Sequence, residues 1–458
     1  MADRFDVVVA GGGLAGASAA AAAAERGASV LLLEKNPAPG GSTVLSSGLN
    51  AYAGTDEQAA AGIADDAELL RRDLLETGGH RNEASLVDAY CREQLATYRW
   101  LRGHGVAFGA PLAAAGQSVP RSHPVDTAAM IETLLRVAGS HGAEIRHRCA
   151  ARRLELSGGR VTGLRVADRD GAEHLVEAGA VVLATGGFSR SPALIERFAP
   201  RMAKAIKAGG SGSTGDGLLM ACKVGAGLAD LPYIKATFGV FPWPSPAEEG
   251  HGLLAVYKGA IAVNGHGERF TDESLPYKEI GDACLAQPEG IAFQIFDAPV
   301  LDTANPDVPI YDFEPRLRAG QFQRAGTLPE LADLLGIPGA ALQATVDDYN
   351  ARIAAGEPDR FGRRTLSGGV GERKPIDTPP FYGYPCTAVL LATYGGITVD
   401  AEARVLDVFG DPIPGLYAAG EVTGGFHGAG YVTGTSLGKS AIFGRVAGIT
   451  ACAEKEAA

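Results

Sequence analysis

Glycines at positions 11, 13 and 16, in the order Gly11-x-Gly13-x-x-Gly16, have the spacing that brings a main chain against a phosphate. Glu34, about twenty residues later, is an acceptor suited to sugar hydroxyls. A dinucleotide is the ligand such a set fits. The glycines permit a tight turn and close approach, the amides at a helix start face the pyrophosphate, and the carboxylate takes the adenosine ribose. This motif alone does not choose between FAD and NAD. Further glycine-bearing segments follow in order: Gly40-Gly41-Ser42-Thr43 with Ser46-Ser47-Gly48, then VVLATGG over 181–187, STGDG over 213–217 and IPGLYAAGEVTGG over 413–425.

The elements that must position these residues are legible nearby. Residues 5–10 (FDVVVA) form an apolar run that stops at glycine, as a buried parallel strand does. An alanine-rich stretch to Arg26 reads as a helix, and 29–34 (SVLLLE) as the next strand, completing a βαβ unit. Helical periodicity is expected over 66–77, 83–102 and 127–140, and strands over 144–147, 161–168 (in an antiparallel hairpin) and 180–185. From about Leu231 prolines 232, 242, 244 and 246 break the pattern, and helices are expected at 329–335 and 340–355. After Pro375 strands and turns return, and a helix from about Ser436 closes the chain. The expected organisation is α/β: a dinucleotide domain formed by 1–231 and 375–458, interrupted by an inserted α+β domain at 232–374.

Composition excludes several classes. The chain has 458 residues, with 41 basic against 53 acidic and a net charge of −12, so phosphate-backbone binding to nucleic acid is not expected. Six scattered cysteines without a C-x-x-C pair read as reduced thiols of a cytoplasmic protein, not a disulfide frame, zinc site or iron–sulfur cluster. No metal site is expected. No secretory leader is recognised, and the uncharged stretch 7–24 is too rich in glycine and alanine to read as a membrane span.

Taken together and in order, the glycine-bearing segments resemble the FAD-binding segments of the fumarate reductase/succinate dehydrogenase flavoprotein family. The stretch 349–363 (YNARIAAGEPDRFGR) is also similar to one common in that family. The resemblance spans nearly the whole chain. It implies a Rossmann-like FAD domain with an inserted capping domain, and FAD as cofactor. Gly11, Gly13, Leu14, Ala15 and Gly16 would then cradle the pyrophosphate. Glu34 would hold the ribose, with Lys35 beside it. Gly41, Ser42 and Thr43 would meet the phosphates and ribityl chain, and Ser47 and Gly48 would lie near the isoalloxazine. Ala151 would contact adenine through its backbone, and Thr185, Gly186 and Gly187 would pass the adenosine. Thr214, Asp216, Gly420 and Glu421 would meet sugar or ribityl hydroxyls. Ser436 and Leu437 would open the last helix under the flavin's pyrimidine edge, where a helix N-terminus favours negative charge. No second dinucleotide fingerprint is visible, so a built-in NAD(P)H reductase domain is not expected.

The departures are equally informative. Quinol-linked members attach FAD to a histidine whose place is held here by Ser42, which implies non-covalent FAD. Soluble fumarate reductases place an arginine after an R-F-x-N-E segment; here 269–277 reads RFTDESLPY, with Tyr277 in that place. A second arginine gives way to Tyr431 in His427-Gly428-Ala429-Gly430-Tyr431, and a histidine gives way to Tyr394. Three cationic or protonatable groups suited to a dicarboxylate are thus three tyrosines.

Tyrosines in those places resemble the 3-ketosteroid Δ1-dehydrogenase branch. That likeness implies Tyr277 as base, with Tyr431 and the Thr435 amide holding a ketone oxygen. Desaturation of a ketone needs loss of an α-proton to a base and of a β-hydride to the flavin. Donors aimed at the carbonyl oxygen stabilise the developing charge by roughly 3 kcal/mol each. Phenolate at neutral pH costs about 4 kcal/mol unless the surroundings favour it. Arg121 and His123, in Pro120-Arg121-Ser122-His123-Pro124, lie where family members place substrate contacts, and would suit a substrate carboxylate; His427 would support the flavin loop. The expected substrate is a small cyclic ketone, such as 4-oxocyclohexanecarboxylate, or a 3-ketosteroid, and the electron acceptor is unknown. Two alternatives stand: an ene-reductase running the reverse reaction on an enone or unsaturated acid, and a FAD-binding protein without turnover.

Overall fold

The computed structural model describes residues 3–234, 236–244, 252–306, 308–367 and 370–457. Two compact units divide the chain. The first comprises Met1–Phe198, Ala208–Ile234 and Ala392–Ala458, and the second Ala199–Lys207 and Lys235–Leu391.

The first unit is built on the strand Asp3–Ala10, whose residues 7–10 are fully buried. On one side Val7–Ala10 run parallel to Val30–Leu33, and on the other to Ala180–Leu183. Glu144–His147 extends the sheet beyond Val30–Glu34, and Pro412–Ala418 extends it beyond Glu173–Leu183. The first half of that long strand pairs antiparallel with Arg160–Ala167, which pairs in turn with Ala150–Ser157. Doubly buried parallel strands need continuous apolar runs, which is why this part of the sequence shows no alternation.

The helix Leu14–Ala24 is buried at every residue. It lies against the closing helix, Thr435–Ala457, where Gly444 and Gly448 meet the backbone at Ala15 and Ala19. Small residues at matching i, i+4 positions let the two backbones touch. That close packing explains the alanine tract. Among the described residues no helix is long and apolar enough to cross a membrane.

The second unit centres on the wholly buried strand Phe381–Leu390. Thr237–Val240 and Ala292–Asp297 flank it antiparallel, and Ile261–Val263 lies beyond the latter. Alternation along Ala292–Asp297 sends Phe293 and Ile295 into a core with the helices Leu328–Leu335 and Gly339–Ala354. Phe296 goes into the opposite core, with Ile280 and Cys284 of the helix Tyr277–Leu285. The unit therefore runs to Leu391, past the boundary at 374 read from composition: the turn after Pro375 leads into this sheet's central strand. It also takes in Ala199–Lys207, because Ile206 and Lys207 pair with Val389 and Leu390.

Candidate functional site

In the first unit the strand-to-helix turn is built for close approach. Gly11 has φ of 113°, and a Cβ there or at Gly16 would strike backbone carbonyls, of Ala184 and Gly11 respectively. Gly13 differs. Its φ is an ordinary −79°, and a Cβ would meet nothing nearer than Thr43 Oγ1 at 3.8 Å. The protein itself does not require glycine there, so the space is suited to a ligand. As the N-cap of the helix, Gly13 offers no side chain of its own to the helix amides. Glu34 is buried and accepts from the Gly12 amide (2.8 Å) and the Asn36 amide (2.7 Å). Its fixed carboxylate stands at the end of its strand, as a ribose contact must. The strand bearing Ala151 starts nearby, since the Cys149 amide donates to the Glu34 carbonyl (3.0 Å). Thr185 Oγ1 is buried without a protein partner beside Gly217. These features fit FAD.

Other expected cofactor residues are engaged with one another. Thr43 Oγ1 accepts from the Leu14 amide (3.3 Å), so this hydroxyl braces the helix start and is not simply open to phosphate. Ser42 Oγ accepts from the Gly210 amide (2.9 Å) and lies 3.3 Å from Ser213 Oγ. Lys35 Nζ donates to Thr214 Oγ1 and Asp216 Oδ2, both at 2.6 Å. Glu421 Oε1 accepts from the Thr393 amide (3.0 Å), and Gly420 and Gly187 lie tight against Ala15 and against Glu421 with Thr393. Gly41, Ser47, Gly48 and Gly186 lie in the same unit, as do Ser436 and Leu437 in the first turn of the closing helix.

Two of the three tyrosines come together here. The rings of Tyr394 and Tyr431 stack with centroids 5.0 Å apart and an interplanar angle of 22°. His427 meets Tyr394 edge-on at 4.9 Å. Tyr394 holds a left-handed φ of 51°, an uncommon state for a bulky residue and one concentrated at functional sites. Tyr431 Oη accepts from the Gly434 amide at 3.2 Å. Burial pushes its pKa up, against the opposing pull of Ser436 and the Gly434 amide, so Tyr431 is held as a neutral phenol. The Thr435 amide, expected on a ketone oxygen, is already donated to the Val432 carbonyl (3.2 Å), and its hydroxyl goes to the same oxygen (2.6 Å). The tight turn before the helix uses that N–H, which corrects the expectation.

Arg121 and His123 require a second correction. Arg121 is completely buried and donates to both oxygens of Asp65 (2.9 and 3.0 Å) and to Asp73 (2.7 Å). A guanidinium committed to two carboxylates is not placed to take a third from a substrate. His123 is also fully buried, with Nε2 2.7 Å from Thr55 Oγ1 and Nδ1 2.8 Å from the Arg121 carbonyl oxygen. Burial lowers its pKa despite these contacts. Both residues brace the short ribbon that pairs Leu49–Ala51 with Ser122–Pro124.

Tyr277 belongs to the second unit, as the half-buried first residue of the helix Tyr277–Leu285. Lys278 Nζ lies 5.9 Å from its ring centroid. The preceding RFTDE segment turns out to be a frame. Glu273 is fully buried and paired with Arg269, which also reaches Asp359 (2.6 Å), and with Arg363 (3.1 Å). Burial acts to raise the Glu273 pKa, but the Arg269 and Arg363 charges outweigh it and hold this carboxyl below its ordinary value. Removing one partner of such a network costs about 3–5 kcal/mol.

The sequence reading missed Asp230 and Lys439. Asp230 Oδ2 accepts from the Gly425 (2.8 Å) and Gly428 (3.3 Å) amides, and Lys439 Nζ donates to the Thr423 carbonyl (2.6 Å). Opposite charges thus hold the loop that carries His427. Burial lowers the Lys439 pKa to about 8, opposed by Asp230 and Glu421. No motif marks either residue; the only available signal was a charge interrupting the apolar pattern of the closing helix.

Known proteins resemble this chain in sequence and in fold. The family model described as "FAD binding domain" matches residues 6–437. The NADH:fumarate oxidoreductase of Klebsiella pneumoniae is 32% identical over 453 residues, covering 97% of this chain, which spans 47% of that protein's length. An open-conformation flavocytochrome c3 fumarate reductase superposes with a TM-score of 0.84 at 30% identity, covering 98% of this chain and 78% of the other. A 3-ketosteroid-Δ4-(5α)-dehydrogenase from Rhodococcus jostii RHA1, in complex with 4-androstene-3,17-dione, gives 0.78 at 29% identity, covering 98% and 97%. The chain belongs to the FAD binding domain family of flavin-dependent oxidoreductases.

Proposed function

We propose that the chain is a dehydrogenase that introduces a C=C bond next to the carbonyl of a cyclic ketone. Tyr277 takes the α-proton, and the Tyr431 hydroxyl donates to the carbonyl oxygen. FAD, when bound, supplies the acceptor for the hydride. The observation that carries this reading is the uncharged phenol of Tyr431, stacked on Tyr394 where a cation would be needed to grip a dicarboxylate. A neutral donor strengthens its hydrogen bond as negative charge grows on the acceptor. Tyr394 and His427 hold the ring of Tyr431 in place. The likeness to a steroid dehydrogenase over 97% of that protein's length supports a ketone. Since Arg121 and His123 are committed elsewhere, the carboxylate of 4-oxocyclohexanecarboxylate loses the contact expected for it, and the proposal is the ketone ring itself. Ser42 offers a hydroxyl, not an imidazole, so the FAD is non-covalent and leaves with denaturation.

A second reading, the reverse reduction of an enone or unsaturated acid, is favoured by the likeness to fumarate-reducing proteins. Anaerobic titration of the purified yellow protein with cyclohexanone, 4-oxocyclohexanecarboxylate, 4-androstene-3,17-dione and succinate separates the two. Bleaching by a ketone supports the dehydrogenase. A flavin reduced only by dithionite and reoxidised by an enone or by fumarate supports the reductase. No response to any of these overturns both readings and leaves FAD binding without turnover.

A further inference from the structure

We infer that Tyr257 is a positioning residue that fixes Tyr277 through the main chain, an inference that rests on the reading of Tyr277 as the base. Tyr257 lies in the short turn Ala255–Lys258 of the second unit. Its hydroxyl donates to the Leu275 carbonyl at 2.7 Å, two residues before Tyr277. One side chain therefore holds the peptide group that leads into Pro276 and Tyr277. Pro276 at the N-cap of the helix Tyr277–Leu285 supplies no capping side chain, so the hold on Leu275 fixes the chain just where the helix begins.

The brace is itself anchored. Arg363, completely buried, donates to the carbonyls of Val256 (2.7 Å) and Ala260 (3.1 Å), and Gln294 Oε1 accepts from the Val256 amide (3.1 Å). The same Arg363 pairs with Glu273, four residues before Tyr277, and Glu273 also accepts from the Ala262 amide (2.9 Å). One ion cluster therefore grips the residue before Tyr257 and the segment leading into Tyr277. Burial and the nearby Tyr277 phenol push the Tyr257 pKa up, so Tyr257 stays a protonated donor to Leu275 and is not the base.

The test is Tyr257→Phe in the FAD-loaded full chain, which keeps the ring and removes only the oxygen. Hydrogen exchange at the amides of Leu275, Tyr277, Lys278 and Glu279 should quicken. The rate of flavin reduction by the ketone substrate should fall roughly ten- to hundredfold, the order expected for a misplacement near 1 Å. KM should stay within about twofold, and the pH limb assigned to Tyr277 should not move. Unchanged exchange overturns the inference, and so does an unchanged rate. A shifted pH limb also overturns it, since that marks the hydroxyl as a proton relay. Tyr277→Phe, measured in parallel, separates the two readings: if it reduces flavin normally the base assignment fails, while exchange in Tyr257→Phe still decides whether the brace exists.

Discussion

Tyr431 and Tyr277 carry the same side chain in opposite settings. Tyr431, in the first unit, is stacked on Tyr394, bordered by His427 and held neutral by burial. Tyr277, in the second, heads a helix, with the Lys278 ammonium 5.9 Å from its ring and the Leu275 carbonyl just before it held by Tyr257. A helix start and an ammonium both supply positive potential. The two phenols thus sit in different surroundings, one among aromatic rings and the other at the head of a helix.

The comparison breaks most directly at Tyr277. Tyr277→Phe should slow flavin reduction by a ketone by a factor of about 10²–10⁴ while the bound flavin spectrum persists; stopped-flow absorbance reads this, and a near-normal rate ends the base assignment. Tyr431→Phe should cost about a hundredfold in the same assay by removing one donor to the developing oxyanion. An unchanged rate there moves the oxyanion contact to another group.

Smaller effects sharpen the contrast. Tyr394→Leu removes the ring stacked on Tyr431, and the rate should drop roughly two- to tenfold, the worth of one aromatic pair. Equal effects of this change on kcat at saturating ketone and on flavin affinity would show that Tyr394 supports the fold instead. The smallest effect concerns the charge beneath the 423–428 loop. The folded-state pKa of Lys439 is lowered to about 8 from 10.5, so the unfolded chain binds more protons between those values and stability rises with pH there. Across about pH 8 to 10.5, wild-type Tm should therefore rise relative to that of Lys439→Met. A difference that stays flat across this window would mean that the lysine does not titrate there.

Much of the scaffold was legible because the interactions that define it are local. A parallel strand buried on both faces must be continuously apolar, and a turn against a phosphate must be glycine, so 5–16 and 29–34 announced themselves. The helices at 127–140 and 329–335 carried periodicity and caps: Asp126 caps the first, and Thr327 with Glu330 forms a capping box on the second. The strand 381–390 misled the reading of the domain boundary because its partners lie about 90 and 150 residues back along the chain. Arg121 misled for a related reason: a cation in a loop reads as available until Asp65 and Asp73, far off in sequence, fold onto it.

The sequence by itself determined the cofactor class, the βαβ frame and the identity of the three phenols. These follow from residue type and short-range spacing, which the chain carries before it folds. Tertiary structure alone decided that Tyr431 is stacked on Tyr394, that the Thr435 amide is already used, and that a hydroxyl from residue 257 holds the carbonyl of Leu275. Those outcomes depend on burial and on which distant donors and acceptors pair, and neither exists until the chain has closed upon itself.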